Sequence, residues 1–172
     1  MTSSKSNSAN IGLINPKSPE NVGSIMRASG CYQVESVSYT GKRYGFASKF
    51  QTDTKNVSEK IPLSEVDDII NAKPEGATIV CVDLVEGATA LPEFKHPENA
   101  YYIFGPEDGT IAQKIIDCAD NVVYIPTIGC MNLAATVNVV LYDRLAKSKT
   151  SIGSDELIRA SRDTNNKVKI KR

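Results

Sequence analysis

The sequence has no tryptophan, one histidine and no paired cysteines. The single histidine, His96, sits in the loop-like stretch FKHPEN, so hydrolases that need a histidine base are disfavoured. Cys31, Cys81, Cys118 and Cys130 are widely spaced and form no CxxC pair. With one histidine and no CxxC, a zinc site is not expected. Charge of one sign is also missing, because twenty basic residues offset twenty acidic ones. Affinity for a polyanion must therefore come from local patches. No apolar run reaches the length needed to cross a bilayer, and the start, MTSSKSNSAN, has no apolar core like that of a secretory signal. These absences point to a cytoplasmic protein with reduced thiols.

What remains is 172 residues, 41 % of them hydrophobic, enough for one domain with a sizeable core. Residues 1–9 are polar and read as a mobile arm, 10–150 as the domain, and 151–172 as an extension with a basic tail. Apolar runs at 10–15, 34–39, 78–85, 100–105 and 121–126 predict strands. The last three are nearly all apolar, as in parallel strands buried on both faces. Helical patterns fall between or after them, near 18–30, 63–70, 110–118 and 131–147. Ser18-Pro19-Glu20 supplies a cap, a first-turn proline and an acid for the positive end of a helix. The stretch 40–60 reads as loop with short helical pieces, and Ser154 opens a short helix. Alternating strands and helices predict an α/β domain, a mostly parallel sheet with helices on both faces.

Three segments carry chemistry. NPKSPENVGSIMRAS (15–29) places Asn21, Gly23 and Arg27 in a helix directly after a strand. Gly23 costs a helix about 1 kcal/mol relative to alanine and leaves space beside Arg27. YYIFGPEDG (101–109) ends a buried strand at Gly105, where a ligand can approach the backbone, and continues through Glu107. YIPTIGCMNLAATVNVVLYDRL (124–145) runs from strand through a glycine loop to Asn132 and a long helix. Read singly, each segment has a plain structural explanation: close packing, a turn, a cap.

In this order and spacing the three resemble the motifs of the SpoU-like (SPOUT-class, TrmH-type) RNA ribose methyltransferases. Asn21, Gly23 and Arg27 match Asn-x-Gly-x-x-x-Arg. Phe104, Gly105 and Glu107 match the second motif. Ile125-Pro126-Thr127 and Cys130-Met131-Asn132-Leu133-Ala134 match the third. Cys130 and Ala134 stand where that motif has serines. The resemblance covers about residues 10–147 and is closest to small members acting on tRNA.

The resemblance implies a C-terminal trefoil knot, a homodimer, an RNA partner (tRNA ahead of rRNA) and S-adenosylmethionine as cofactor. It implies methyl transfer to a ribose 2′-hydroxyl, with Arg27, Asn21, Glu107 and Asn132 as catalytic candidates. Arg27 would act near the partner's cofactor, as base or as phosphate anchor. Cofactor contacts carried over by position are Leu84, Gly105, Ile125, Cys130 and Leu133. Lys17, Arg27, Lys42 and Arg43 are the RNA-binding candidates. A non-catalytic RNA- or cofactor-binding protein is the competing expectation, motivated by Cys130 and Ala134. A nicotinamide oxidoreductase ranks below both, since no G-x-G-x-x-G follows the first strand.

Overall fold

A computed structural model describes residues 7–48, 60–149 and 153–171. Seven strands form one sheet in the order β3-β2-β1-β6-β4-β7-β5, with every pair parallel. They are β1 (Ser8–Leu13), β2 (Ser36–Tyr39), β3 (Leu63–Glu65), β4 (Thr78–Val82), β5 (Thr89–Ala90), β6 (Asn99–Phe104) and β7 (Asn121–Tyr124). The helices are α1 (Pro19–Cys31), α2 (Arg43–Ser48), α3 (Gln113–Ile116), α4 (Leu133–Lys147) and α5 (Asp155–Ser161).

The apolar runs form strands because both sheet faces are covered. Ile11, Leu13, Val80, Val82, Tyr102, Phe104 and Val123 pack on one face with Val22, Ile25 and Met26 of α1 and Val137, Val140 and Leu141 of α4. Alternate residues Ile79, Cys81, Tyr101 and Ile103 face the other way, toward Ile69, Ala77 and Ile111. That second layer is thin: α3 and turn segments cover it in place of long helices.

Several boundaries differ from the sequence expectation. β1 begins at Ser8, taking Ser8 and Ala9 from the expected arm, because both pair with β6 and are buried. Residues 1–6 of that arm lie outside the described residues. The helix expected at 63–70 is β3 followed by turns. Val37 N–H donates to Pro62 O and Val66 N–H to Tyr39 O, which captures this backbone for the sheet. The Asp68 carboxylate then accepts from the N–H groups of Ile70 and Asn71, an arrangement that competes with helix. The helix expected at 110–118 shrinks to α3 because Ile111 N–H is held by the Asp83 carboxylate at 2.8 Å. β5 and the 3₁₀ turn at Leu91–Glu93 carried too short a pattern to be read. In the stretch 40–60, α2 is one of the short pieces anticipated, and residues 49–59 lie outside the described set.

No helix among the described residues is long and apolar enough to cross a membrane. Nor do three His, Cys, Asp or Glu side chains among them group to hold a metal ion.

Candidate functional site

Parallel strands deliver their following loops to one edge of the sheet, where open α/β folds bind ligands. Here the loops after β1, β4, β6 and β7 surround a cleft of about 390 Å³, within the range of small-molecule sites, about 300–1,000 Å³. Val82, Phe104, Ile125 and Leu133 give it apolar walls, and Asn21, Asp83, Glu107 and Asn132 give it polar groups. The expected cofactor contacts Leu84, Gly105, Ile125, Cys130 and Leu133 all line it.

A hydrogen-bonded bridge joins the three motif segments. Asn132 closes the start of α4, its Oδ1 accepting from the N–H groups of Ala134 (2.9 Å) and Ala135 (3.2 Å). Its Nδ2 donates to Asn21 Oδ1 at 3.0 Å. Asn21 Nδ2 in turn donates to Glu107 Oε1 at 3.2 Å. Glu107 also accepts from the backbone N–H groups of Lys17 (2.9 Å) and Ser18 (3.0 Å). Burial alone pushes the Glu107 carboxyl up. The hydrogen bonds from Ser18, Asn21 and Lys17 outweigh it, so its pKa falls below the ordinary 4.5. Ser18 caps α1 by accepting from Asn21 N–H, which places Asn21 in the first helical turn, facing the bridge.

Asp83 was not among the sequence candidates. Its two carboxylate oxygens accept from the N–H groups of Leu84 and Ile111, both at 2.8 Å, tying the loop after β4 to the loop after β6. Gly105 sits against this clamp. A Cβ there would stand 3.2 Å from Ile111 Cγ1 and 3.5 Å from Asp83 Oδ2. A polar residue at the carboxyl end of an apolar parallel strand, as in TIVCVD, was the signal available in the sequence. Tyr124, Thr127 and Thr136 also line the cleft and carried no such signal.

Arg27 does not enter this cleft. It lies six residues beyond Asn21 on α1, on the outer face, exposed, without a hydrogen bond or ion pair to a described residue. The space left by Gly23 opens outward as well, since a Cβ there meets nothing within 4 Å. Of the RNA-binding candidates, Lys17 is exposed and Lys42 pairs with Glu65. Arg43 is engaged: both terminal nitrogens donate to Asp108, and one also to Asn15 O at 2.6 Å.

This layout can be set beside known proteins. Residues 8–142 match the SpoU rRNA Methylase family. The chain belongs to that family. Solved structures agree in fold. An rRNA methyltransferase from Sinorhizobium meliloti superposes with a TM-score of 0.68 at 16 % identity, over 81 % of this chain and 56 % of that one. A protein solved in work on the 2-OH methylation of C/U34 on tRNA gives 0.69 at 20 % identity, over 82 % of this chain and 96 % of that one. The SpoU methyltransferase AviRb from Streptomyces viridochromogenes, in complex with the cofactor AdoMet, gives 0.66 at 17 % identity, over 83 % and 61 %. This SpoU-family chain thus spans just over half of the S. meliloti protein. No curated protein matches it.

Proposed function

We propose that this SpoU-family chain is an S-adenosylmethionine-dependent RNA methyltransferase that modifies a ribose 2′-hydroxyl of tRNA, working as a cytoplasmic homodimer. One observation carries the reading: the Asn132–Asn21–Glu107 bridge, which brings all three motif segments to the mouth of one cleft.

The cleft fits the cofactor. Its volume and apolar walls suit a nucleoside, and Gly105 lets the end of β6 pass close to the Asp83–Ile111 clamp that shapes the cleft wall. Gly105, Ile125, Cys130, Leu133 and Leu84 would hold it, in part through main chain. When bound, S-adenosylmethionine supplies a methyl group on a positively charged sulfur. Replacement of serine by Cys130 removes a good hydroxyl donor and leaves a weak one, but main-chain contacts in the loop are unaffected.

The protein's own residues must align the ribose oxygen with that methyl group and help its proton leave. Asn132 and Asn21 present amide groups at the cleft mouth, fixed by the bridge. Glu107 holds the β1–α1 loop and Asn21 in register. Arg27 faces outward, so it would reach a cleft only from a second copy. The same outer surface supports the dimer. Val139 and Tyr142 of α4 are exposed, and Gly23 and Gly30 of α1 have open space above them. α1 and α4 pack against each other, and Gly23 and Gly30, four residues before and three after Arg27, share its side of α1, small residues of the kind that let two copies approach across a symmetry axis. There Arg27 would pair with an RNA phosphate or stabilise the developing oxyanion. The knot implied by the resemblance belongs to the same reading.

The test is transfer of a tritiated methyl group to unmodified bulk tRNA, followed by digestion to nucleosides. Label in a 2′-O-methylated nucleoside is expected. Label on a base would overturn the assignment of position, and label in a parallel reaction with unmodified rRNA but none in tRNA would overturn the assignment of substrate. Cofactor binding without transfer to any RNA would favour the non-catalytic reading that Cys130 and Ala134 motivate.

A further inference from the structure

The neutral net charge conceals a segregation. Residues 153–172 hold six basic and three acidic residues, and residues 1–152 hold fourteen basic and seventeen acidic. The two parts therefore carry net charges of +3 and −3. A domain that is net negative, and whose Arg43 and Lys42 are occupied by Asp108 and Glu65, is poorly equipped to attract a polyanion.

Among the described residues, the segment with the opposite charge makes side-chain hydrogen bonds and an ion pair only within itself. α5 is capped by Ser154 and has no buried residue. After it, Lys167, Lys169 and Lys171 alternate with Val168 and Ile170, which are 82 % and 90 % exposed. In an extended chain that alternation places the three ammonium groups on one side. Among residues 167–171, no side-chain hydrogen bond or ion pair to another described residue holds the lysines.

We infer that residues 153–172 form an RNA-docking arm, with Lys167, Lys169 and Lys171 gripping the phosphate backbone away from the reacting nucleotide. The identity of the partner rests on the methyltransferase reading; the charge argument itself requires only a polyanion. RNA is favoured over an anionic membrane because the arm's exposed apolar side chains are split between the seven-residue α5 (Leu157, Ile158) and the chain after it (Val168, Ile170), so α5 itself carries two. That is little apolar area for an interfacial helix. The arm follows the far end of α4, a helix about 22 Å long whose other end, at Asn132, borders the cleft. Contacts rooted there would bind a flank of the RNA and leave the chemistry to the cleft.

The experiment uses the full chain with Lys167, Lys169 and Lys171 all changed to Gln, and a second variant with all three changed to Arg. Binding of unmodified bulk tRNA is followed by mobility shift across a salt series, with S-adenosylmethionine affinity measured in parallel. The Gln variant should bind tRNA about tenfold or more weakly at 0.1 M salt. Its log K against log salt slope should be shallower by about 2 units, as expected for three lost phosphate contacts. The Arg variant should bind like wild type, and cofactor affinity should be unchanged in both. Unaltered tRNA affinity and slope in the Gln variant would overturn the inference, as would lysine-dependent capture by phosphatidylserine vesicles with no effect on tRNA. A wild-type chain that binds tRNA through these lysines yet methylates no RNA would sink the proposed activity while leaving the arm standing.

Discussion

Asn132 serves two ends through one side chain: its oxygen caps α4 while its nitrogen joins Asn21. The two roles separate by substitution. Asn132→Ala removes both, and loss of the cap should lower stability by about 1 kcal/mol. Asn132→Asp keeps the capping oxygen and strengthens it at the positive helix end. It also sets a carboxylate against Asn21 Oδ1, so Asn21 must give up one of its two partners. Urea unfolding should therefore find the Asp variant close to wild type and the Ala variant weaker, while methyl transfer falls at least tenfold in both. An Asp variant of wild-type activity would make Asn132 a cap and nothing more. Asn21, Glu107 and Asn132 were legible in the sequence as motif members. Their mutual bonding was not, because the residues come from loops 86 and 111 positions apart from Asn21. Asp83 escaped notice because a lone acid after a strand has no periodicity to mark it.

At the scale of elements, the Tyr101 side chain of β6 lies over β1 at position 12, so glycine is required there. A Cβ there would approach Tyr101 OH to 2.6 Å, and that hydroxyl is committed to Ile69 O at 3.0 Å. Gly12→Ala should destabilise the fold by about 1–3 kcal/mol, read as a lower urea midpoint with an unchanged slope; no shift would mean that Tyr101 yields freely. The C-terminal half of α4 is fixed differently. His96, its side chain 6 % exposed, bonds Tyr102 OH at 2.6 Å and Asp143 at 2.8 Å. Arg144 donates to Tyr102 OH and Lys147 pairs with Asp143. Burial lowers the His96 pKa below 6.5, and Asp143 only partly offsets it against Arg144 and Lys147. The unfolded chain thus binds the His96 proton first. Stability should fall as pH drops below about 6.5, down to the depressed folded value. His96→Gln should flatten thermal stability between pH 7 and 5; parallel wild-type and variant profiles would show that other groups set it. The loop-like stretch FKHPEN gives no hint that His96 is buried against α4. Long apolar strands and well-capped helices were readable. The strand and turns at 63–70 were not, because their apolar spacing suits a helix equally well.

For the whole molecule, the cleft and the outer face of α1 are separate surfaces in one protomer. Cleft-lining Asn21 and exposed Arg27 share a helix but point apart. The proposed dimer would make them halves of a composite site, completed across a two-fold axis. A single sequence carries no pattern for such a pairing, because an interface with a second copy would show only as exposed apolar and small residues, of which Val139, Tyr142 and Gly23 are examples. The most direct test uses heterodimers isolated through two different affinity tags. One protomer carries Arg27→Ala with an intact cleft, and the other carries Gly105→Val, which crowds the Asp83–Ile111 clamp at the cleft wall but keeps Arg27; circular dichroism checks that each folds. Each homodimeric variant should be inactive, and the heterodimer should regain about half of wild-type methyl transfer, one of its two symmetric sites being whole. A heterodimer as inactive as its parents would contradict the composite site.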